Sequence, residues 1–324
     1  MKRWLPLALT VTFALGSLVA AQDAAVSQKT SVIVVIGAAG EEQFGEEFSA
    51  WAKQWEEACT KAGAQCTVIG REAAPPADHE RLRTALAAQA VESPEALWVV
   101  MLGHGTWDGR DAKFNLRGDD VSAAQLNEWL APLQRPVAVV AGFSSSGAFL
   151  KPLAAPGRVI VTATKSGSEE LYARFGGQIS KAVGDLQADF DKDGQVSLLE
   201  AWLGAARGVA EFYEKEGRLA TEHSLLEDNG DGLGTPSDWF TGIRATKRAK
   251  DGAVPDGLRA HQFHLIRNPE ENALSPAVRA ERDALELQVA KLREAKATFP
   301  EDQYYKELEA LLLKLARIYQ RTAD

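Results

Sequence analysis

The chain has 324 residues, of which 36 are Lys or Arg and 45 are Asp or Glu, giving a formal net charge of −9. An acidic chain without a basic stripe argues against nucleic acid as a partner, and this length suits one large domain with appendages. At the start, Lys2-Arg3 precede an apolar run over residues 4–21 that Gly16 interrupts and small residues close. A basic start, an apolar centre and an Ala-rich exit predict a secretory signal peptide over residues 1–21, removed near Ala21-Gln22. The run is barely long enough to span a bilayer, so a membrane anchor is the alternative. No other run approaches that length. The mature chain is therefore expected to be soluble and exported, secreted or periplasmic, with no membrane contact beyond the signal peptide. Loss of Lys2 and Arg3 takes its formal charge from −9 to −11.

Residues 31–36 read as a first strand, followed by Gly37-Ala38-Ala39-Gly40 and a helix over 41–62. A Gly-rich strand-to-helix turn can cradle phosphate. Here the third glycine of the dinucleotide fingerprint is missing, and Glu41, Glu42, Glu46 and Glu47 crowd the helix start, so a structural turn is expected. Phe44, Phe48, Trp51, Trp55 and Cys59 repeat at helical spacing and predict one packed face. Residues 66–69 give a second strand. Cys59 and Cys66 are the two cysteines; in an oxidising compartment they are either a structural disulfide or two buried thiols. A second helix is expected over 77–91, after Pro75-Pro76.

Two Val-rich runs carry the chemistry. Residues 97–102 lead into Gly103-His104-Gly105, and residues 137–141 lead into Gly142-Phe143-Ser144-Ser145-Ser146-Gly147. Short apolar runs bounded by glycine predict buried parallel strands, and open parallel sheets carry reactive groups at the carboxyl ends of their strands. His104 and Ser144 are thus expected side by side at one sheet edge. Between them, Asp108-Gly109 marks a turn, residues 113–116 the return arm of a small hairpin, and Ser122 the cap of a helix reaching Leu130 near Pro132. Residues 158–163 make a fifth strand, and 261–266 alternate as an edge strand.

Strand, His104-Gly105, forty residues (144 − 104), strand and Ser144-x-Ser146-Gly147 resembles the legumain-like cysteine peptidases of the caspase fold. Gly118-Asp119-Asp120-Val121 leading to Leu126 is similar to that family's segment between the catalytic strands. Thr162-Ala163-Thr164, Glu169 and Tyr172-Ala173 resemble its next strand and specificity loop. The resemblance spans residues 30–185 and implies a three-layer α/β fold with a mainly parallel sheet. It also implies His104 as general base and the Gly105 and Ser144 amides as an oxyanion hole. One departure matters: the family carries Cys where this chain has Ser144. Neither Cys59 nor Cys66 lies where it could replace the missing nucleophile.

Residues 189–200, DFDKDGQVSLLE, resemble an EF-hand calcium loop. Asp189, Asp191 and Asp193 stand at positions 1, 3 and 5, Gln195 offers its carbonyl at 7, Ser197 stands at 9, and Glu200 is the bidentate ligand at 12. Gly194 permits the turn at 6. Four carboxylates in so short a loop repel unless a cation joins them, so Ca2+ is the expected cofactor. Helices are expected over 169–184 and 197–216. A second loop, Glu227-Asp228-Asn229-Gly230-Asp231-Gly232, copies the first half of such a motif, with Glu227, Asn229 and Asp231 as ligands and Asp238 at position 12. Thr235-Pro236-Ser237-Asp238 instead reads as a helix start, and a plain Asn/Gly turn is the alternative.

The tail predicts a helical hairpin: Val278, Leu285, Val289, Leu292 and Phe299 share one face, Pro300 breaks the helix, and Tyr305, Leu308, Leu312, Leu315 and Tyr319 line the next. The organisation is thus a signal peptide (1–21), an α/β domain (22–185), an EF-hand region (186–245), a return segment (246–270) and the hairpin (271–324). Three functions are open. The first is an exported calcium-binding protein of legumain-like fold, catalytically inactive, that binds a peptide or protein or serves as a scaffold. The second is a hydrolase using Ser144 with His104 as base. The third is a calcium-dependent structural protein. A serine hydroxyl needs a closer base than a thiol does, and no carboxylate is obviously placed to orient His104; Asp108 and Asp111 are merely near in sequence.

Overall fold

A computed structural model describes residues 29–250 and 252–321; the expected signal peptide lies outside them. The expected α/β architecture with a mainly parallel sheet is what the chain forms. In order, the elements are β1 (Ser31–Ile36), α1 (Glu42–Ala62), β2 (Gln65–Ile69), α2 (Asp78–Ala87), β3 (Leu97–Gly103), β4 (Gly105–Trp107), β5 (Ala112–Phe114), β6 (Val121–Ser122), α3 (Ala123–Leu130), β7 (Val137–Phe143), α4 (Gly147–Leu153) and β8 (Arg158–Thr162). There follow α5 (Phe175–Ala182), α6 (Leu198–Lys215), β9 (Leu225–Glu227), β10 (Thr235–Pro236), β11 (Phe240–Thr241), β12 (Arg244–Ala245), α7 (Leu258–His261), α8 (Pro269–Ala273), α9 (Pro276–Glu294) and α10 (Glu301–Arg321).

The main sheet runs β10-β9-β8-β7-β3-β1-β2. Its β2-β1-β3-β7-β8 portion is parallel, and β9 and β10 close one edge antiparallel. Alternation along each strand sends side chains to opposite faces. Val32, Val34 and Ile36 of β1 pack with Phe48 and Trp55 of α1, Ile179 of α5 and Trp202 of α6. Ile33 and Val35 face the other way, toward Leu82 of α2, Leu126 of α3 and Phe149 of α4. Both faces are covered over β1, β3, β7 and β8, so these strands read as near-continuous apolar runs, while β2 at the edge is largely exposed.

Four expectations need correction. Residues 261–266 do not form the edge strand: His261 ends α7, and His264 makes a single antiparallel bridge to Ser197. β9 and β10 occupy that side of the sheet, with β10 outermost, and Asp228 just after β9 starts α7 by accepting from the Gly257 and Ala260 amides at 3.0 and 2.8 Å. The helix expected from 169 begins at Phe175, because Glu169 is spent on a loop: its carboxylate accepts from Lys165 N and His223 N, and its carbonyl from Ser145 N. Thr235 does not cap a helix: it pairs with Leu226 in β10, and only a single 3-10 turn, Ser237–Trp239, follows. Finally, α10 is rotated. Tyr304 and Ile318 are its buried residues, whereas Tyr305, Leu312 and Tyr319 are about half exposed. On α9 the expected Leu285, Val289 and Leu292 are buried.

Beneath this, Glu95, just before β3, accepts from Thr30 Oγ1 at 3.1 Å and Arg267 Nη2 at 2.7 Å, and also pairs with Arg279 of α9. Arg282 pairs with Glu271 of α8. These buried ion pairs fasten the helical tail to the sheet. Among the described residues no helix is long and apolar enough to cross a membrane.

Candidate functional site

The parallel pairing of β3 with β7 brings Gly103 opposite Phe143, so His104 and Ser144 leave the sheet as immediate neighbours at its carboxyl edge. Their backbones are juxtaposed as expected, yet among the described hydrogen bonds none joins their side chains. The Ser144 hydroxyl accepts from Gly105 N at 3.1 Å and donates to Gly105 O at 3.1 Å. It is 2 % exposed. A Cβ on Gly105 would come within 2.2 Å of the Ser144 carbonyl, so glycine here is demanded by close backbone approach.

The His104 ring turns into an aromatic cage. Phe44 and Phe48 meet it edge-on at 4.8 and 5.1 Å between centroids, and Tyr172 lies at 5.9 Å. The Tyr172 hydroxyl donates to Glu47, and the Arg174 guanidinium lies over its ring. Burial pulls the His104 imidazole below the ordinary histidine range, opposed by a backbone hydrogen bond at Ala39 and the Glu41 charge. Among the described hydrogen bonds and ion pairs, none joins the ring to Ser144 or to a carboxylate. Asp108 instead closes the β4–β5 turn, accepting from the Arg110 and Asp111 amides.

Ser145 and the Ser146-Gly147 pair are explained by structure. Ser145 holds a left-handed φ of 62° and donates its amide to the Glu169 carbonyl. The Ser146 hydroxyl accepts from Ala163 N and Thr164 N at 2.9 and 3.2 Å, which ties the turn to the end of β8. A side chain on Gly147 would collide with Ser166 N at 2.2 Å. These bonds join the turn after β7 to the end of β8, while the buried Ser145 hydroxyl has no hydrogen-bond partner among the described residues.

The second candidate site is residues 189–200. Oxygens of Asp189, Asp191 and Asp193 all lie within 4.8 Å of one another. Asp189 accepts from Lys192 N at 2.6 Å and Gly194 N at 3.1 Å, Asp191 from Asp193 N, and Asp193 from Gln195 N. Lys192 and Gly194 adopt φ of 64° and 87° to make the turn. Glu200, fully buried, reaches both ends of the loop. Its Oε1 accepts from Phe190 N and Asp191 N, and its Oε2 from Ser197 N and Oγ. The reciprocal bond from Glu200 N to Ser197 Oγ completes a capping box that starts α6.

This donor set fits a hard divalent cation. It is all oxygen, and it repels itself: burial pushes the Asp191 carboxyl upward, and the neighbouring Glu200 and Asp193 charges push the same way. His261 lies 3.5 Å from Asp191. Asp189, Asp191, Asp193 and Glu200 are the residues that would hold the ion, with the Gln195 carbonyl and Ser197 at the remaining positions.

The loop's structural partner is one that spacing did not reveal. Leu198 N donates to Phe263 O at 2.8 Å beside the Ser197–His264 bridge. Asn268 donates its side-chain amide to Asp193 O at 2.9 Å and its backbone N to Gln195 Oε1 at 3.2 Å. The 227–238 segment runs from the end of β9 through β10. Asn268 is more than seventy positions from these contacts, and a lone Asn before Pro269 announces only a helix cap. Cys59 and Cys66 are free thiols, one buried and one exposed.

No protein-family model and no curated protein matches the sequence. Among solved structures, the chain is similar to the Drosophila initiator caspase Dronc, at 10% identity and a TM-score of 0.40, over 70% of this chain and 93% of that one. It is also similar to caspase-1 from Spodoptera frugiperda, at 10% identity and a TM-score of 0.42, over 62% and 86% of the respective chains.

Proposed function

We propose that this chain is an exported calcium-binding protein built on a caspase-like, legumain-type α/β domain that has no peptidase activity and works as a peptide- or protein-binding scaffold. The observation that carries the loss of activity is the Ser144 hydroxyl, bonded in both directions to Gly105 rather than to His104. Calcium binding is supported by the oxygens of Asp189, Asp191 and Asp193 gathered within 4.8 Å around a loop that Glu200 spans. When bound, calcium neutralises carboxylates that otherwise repel one another. The residues themselves do the rest: Glu200 starts α6, Asn268 joins the loop to α8, and the Glu95 ion pairs hold the tail beneath the sheet.

Calorimetric titration of the mature protein with calcium, beside a Glu200→Gln variant, tests the metal. A peptidase assay with and without calcium tests the inactivity. N-terminal sequencing of exported material tests the signal peptide; an intact Met1 would favour the anchor. The hydrolase reading draws support from the neighbouring positions of His104 and Ser144 at the edge of β3 and β7, and it requires Ser144 to release Gly105 and turn to the imidazole.

A further inference from the structure

We propose that the hairpin loop between β9 and β10 is a second calcium site, formed by the Glu227 and Asp231 carboxylates, the Asn229 side-chain oxygen and the Leu233 carbonyl. This goes beyond the 189–200 reading and does not depend on it.

The observation that points to a ligand is Glu227. It is fully buried, and its Oε2 is a buried oxygen with no hydrogen-bond partner among the described residues. Its Oε1 accepts from Gly230 N at 2.6 Å and Gly232 N at 3.4 Å, which fixes the carboxylate inside the loop. A buried carboxylate oxygen left without donor or cation is unfavourable, and such atoms are rare in folded proteins. The charges acting on it are the like charges of Asp228 and Asp231.

The surroundings reproduce the first half of residues 189–200. Glu227 accepts from the amides three and five positions on, as Asp189 does. Asn229 accepts from Asp231 N at 2.9 Å and Asp231 from Leu233 N at 2.7 Å, matching Asp191 and Asp193. Gly230 and Gly232 take φ of 85° and 74°, where Lys192 and Gly194 take 64° and 87°. The two loops differ at Glu227, where both amides go to one oxygen and the other is left for a ligand.

The second half of the motif is absent. The Thr235 hydroxyl is committed to Asp256, donating to it at 2.7 Å, and the Asp238 side chain is 69% exposed and paired with Lys247 at 2.7 Å. Asp238 is therefore left out of the ligand set, and water completes the coordination. Fewer protein oxygens predict weaker binding than at residues 189–200.

Calcium is titrated calorimetrically into the mature protein, into a variant with the first loop disabled (Asp189→Asn with Glu200→Gln), and into that variant carrying Glu227→Gln or Asp231→Asn. The first-loop variant is expected to retain one calcium equivalent, and either added substitution to weaken it roughly tenfold or more. Glu227→Gln keeps an oxygen for the Gly230 and Gly232 amides. Asp231 is exposed, and Asp231→Asn keeps an oxygen for the Leu233 amide, so circular dichroism should be unchanged for at least the Asp231→Asn protein. No calcium in the first-loop variant, or binding that neither substitution weakens, overturns the proposal. A single equivalent that survives the first-loop changes and is lost with Glu227→Gln upholds this site while removing the other.

Discussion

Ser144 satisfies both polar groups of Gly105, accepting from its N–H and donating to its carbonyl, each at 3.1 Å. The amide that the family resemblance makes an oxyanion donor is thus already occupied. The serine proton also faces a carbonyl, which cannot remove it. A serine alcohol attacks only if a base takes its proton as the bond forms. The mature protein is therefore expected to show no turnover of short Asn-, Asp- or Arg-containing peptides in a fluorogenic assay, with or without calcium. Turnover that disappears in both Ser144→Ala and His104→Ala would establish a serine hydrolase instead.

The same bonds make Ser144 a structural residue. In Ser144→Ala the Gly105 N–H and carbonyl lose their shared partner inside the fold. Leaving such groups unpaired costs roughly 1–3 kcal/mol. Urea unfolding should show a loss of that order, with an unchanged denaturant slope. A stability equal to the parent's would mean that the hydroxyl is free to serve chemistry.

Much of this molecule is legible in the sequence where spacing alone decides. Val-rich runs announce β1, β3, β7 and β8, because a strand buried on both faces has little room for polar residues, whereas β2 is a largely exposed edge strand with a single valine. The tight 189–200 turn is legible because its acidic residues sit at strict intervals, which gathers the oxygens of Asp189, Asp191 and Asp193 within 4.8 Å. Spacing places the backbones of His104 and Ser144 together but does not choose rotamers, so the hydroxyl's turn toward Gly105 is invisible. β9 is three residues long and ends in glutamate, too short to register as a strand. The 261–266 segment alternates for a different reason: Phe263 and Leu265 enter the core while His264 bridges to Ser197. On α10 a run of leucines and tyrosines offers two faces, and packing on α9 selects the one containing Tyr304 and Ile318.

Calcium should raise the thermal midpoint, because binding to the native loop pulls the folding equilibrium. Glu200→Gln should remove most of the shift assigned to residues 189–200. The pH dependence has a definite sign. Burial, then Glu200 and Asp193, raise Asp191 above its ordinary value of 3.8 in the folded protein. Without calcium the folded state holds this proton more tightly than the unfolded state does. Stability from this group is therefore lost as pH rises through the raised value. With saturating calcium the carboxylate is the required form, so the calcium-induced shift should grow over the same interval. Differential scanning fluorimetry from pH 4 to 7 checks both trends, and a calcium shift independent of pH would count against Asp191 as a ligand.

Cys59 and Cys66 flank the α1–β2 turn, Cys59 buried and Cys66 exposed. Their mutual interaction pulls the Cys66 thiol below the ordinary cysteine value and pushes Cys59 upward. The exposed thiol is thus the readier thiolate to begin oxidation. Protein recovered from an oxidising compartment should carry a Cys59–Cys66 disulfide and titrate no free thiols when denatured. Closing so short a loop is worth on the order of 2 kcal/mol, so Cys66→Ser should lower the midpoint of the oxidised protein and leave the reduced one nearly unchanged. Two titratable thiols in exported material would show that the pair stays reduced.

Glu95 is the residue on which the helical tail depends. Its carboxylate, 6% exposed, pairs with Arg267 and with Arg279 of α9, and accepts from Thr30. Burial by itself would raise its pKa, but the two arginines outweigh that and hold it below the ordinary glutamate value. Its stabilisation is present above the unfolded glutamate pKa and is lost as pH falls through the depressed one. Removing one member of a buried ion pair leaves the others uncompensated, at a cost of about 3–5 kcal/mol. Glu95→Ala should lose stability in that range at pH 7, and the loss should shrink in acid. Arg267 immediately precedes Asn268, whose side-chain amide donates to Asp193 O in the 189–200 loop. Freed from Glu95, the 263–268 segment should hold that loop less firmly. Glu95→Ala is therefore expected to weaken calcium binding at residues 189–200 as well, read by calorimetry under conditions where the variant remains folded. Unaltered calcium affinity in a destabilised Glu95→Ala protein would mean that the loop is formed independently of the tail's ion pairs.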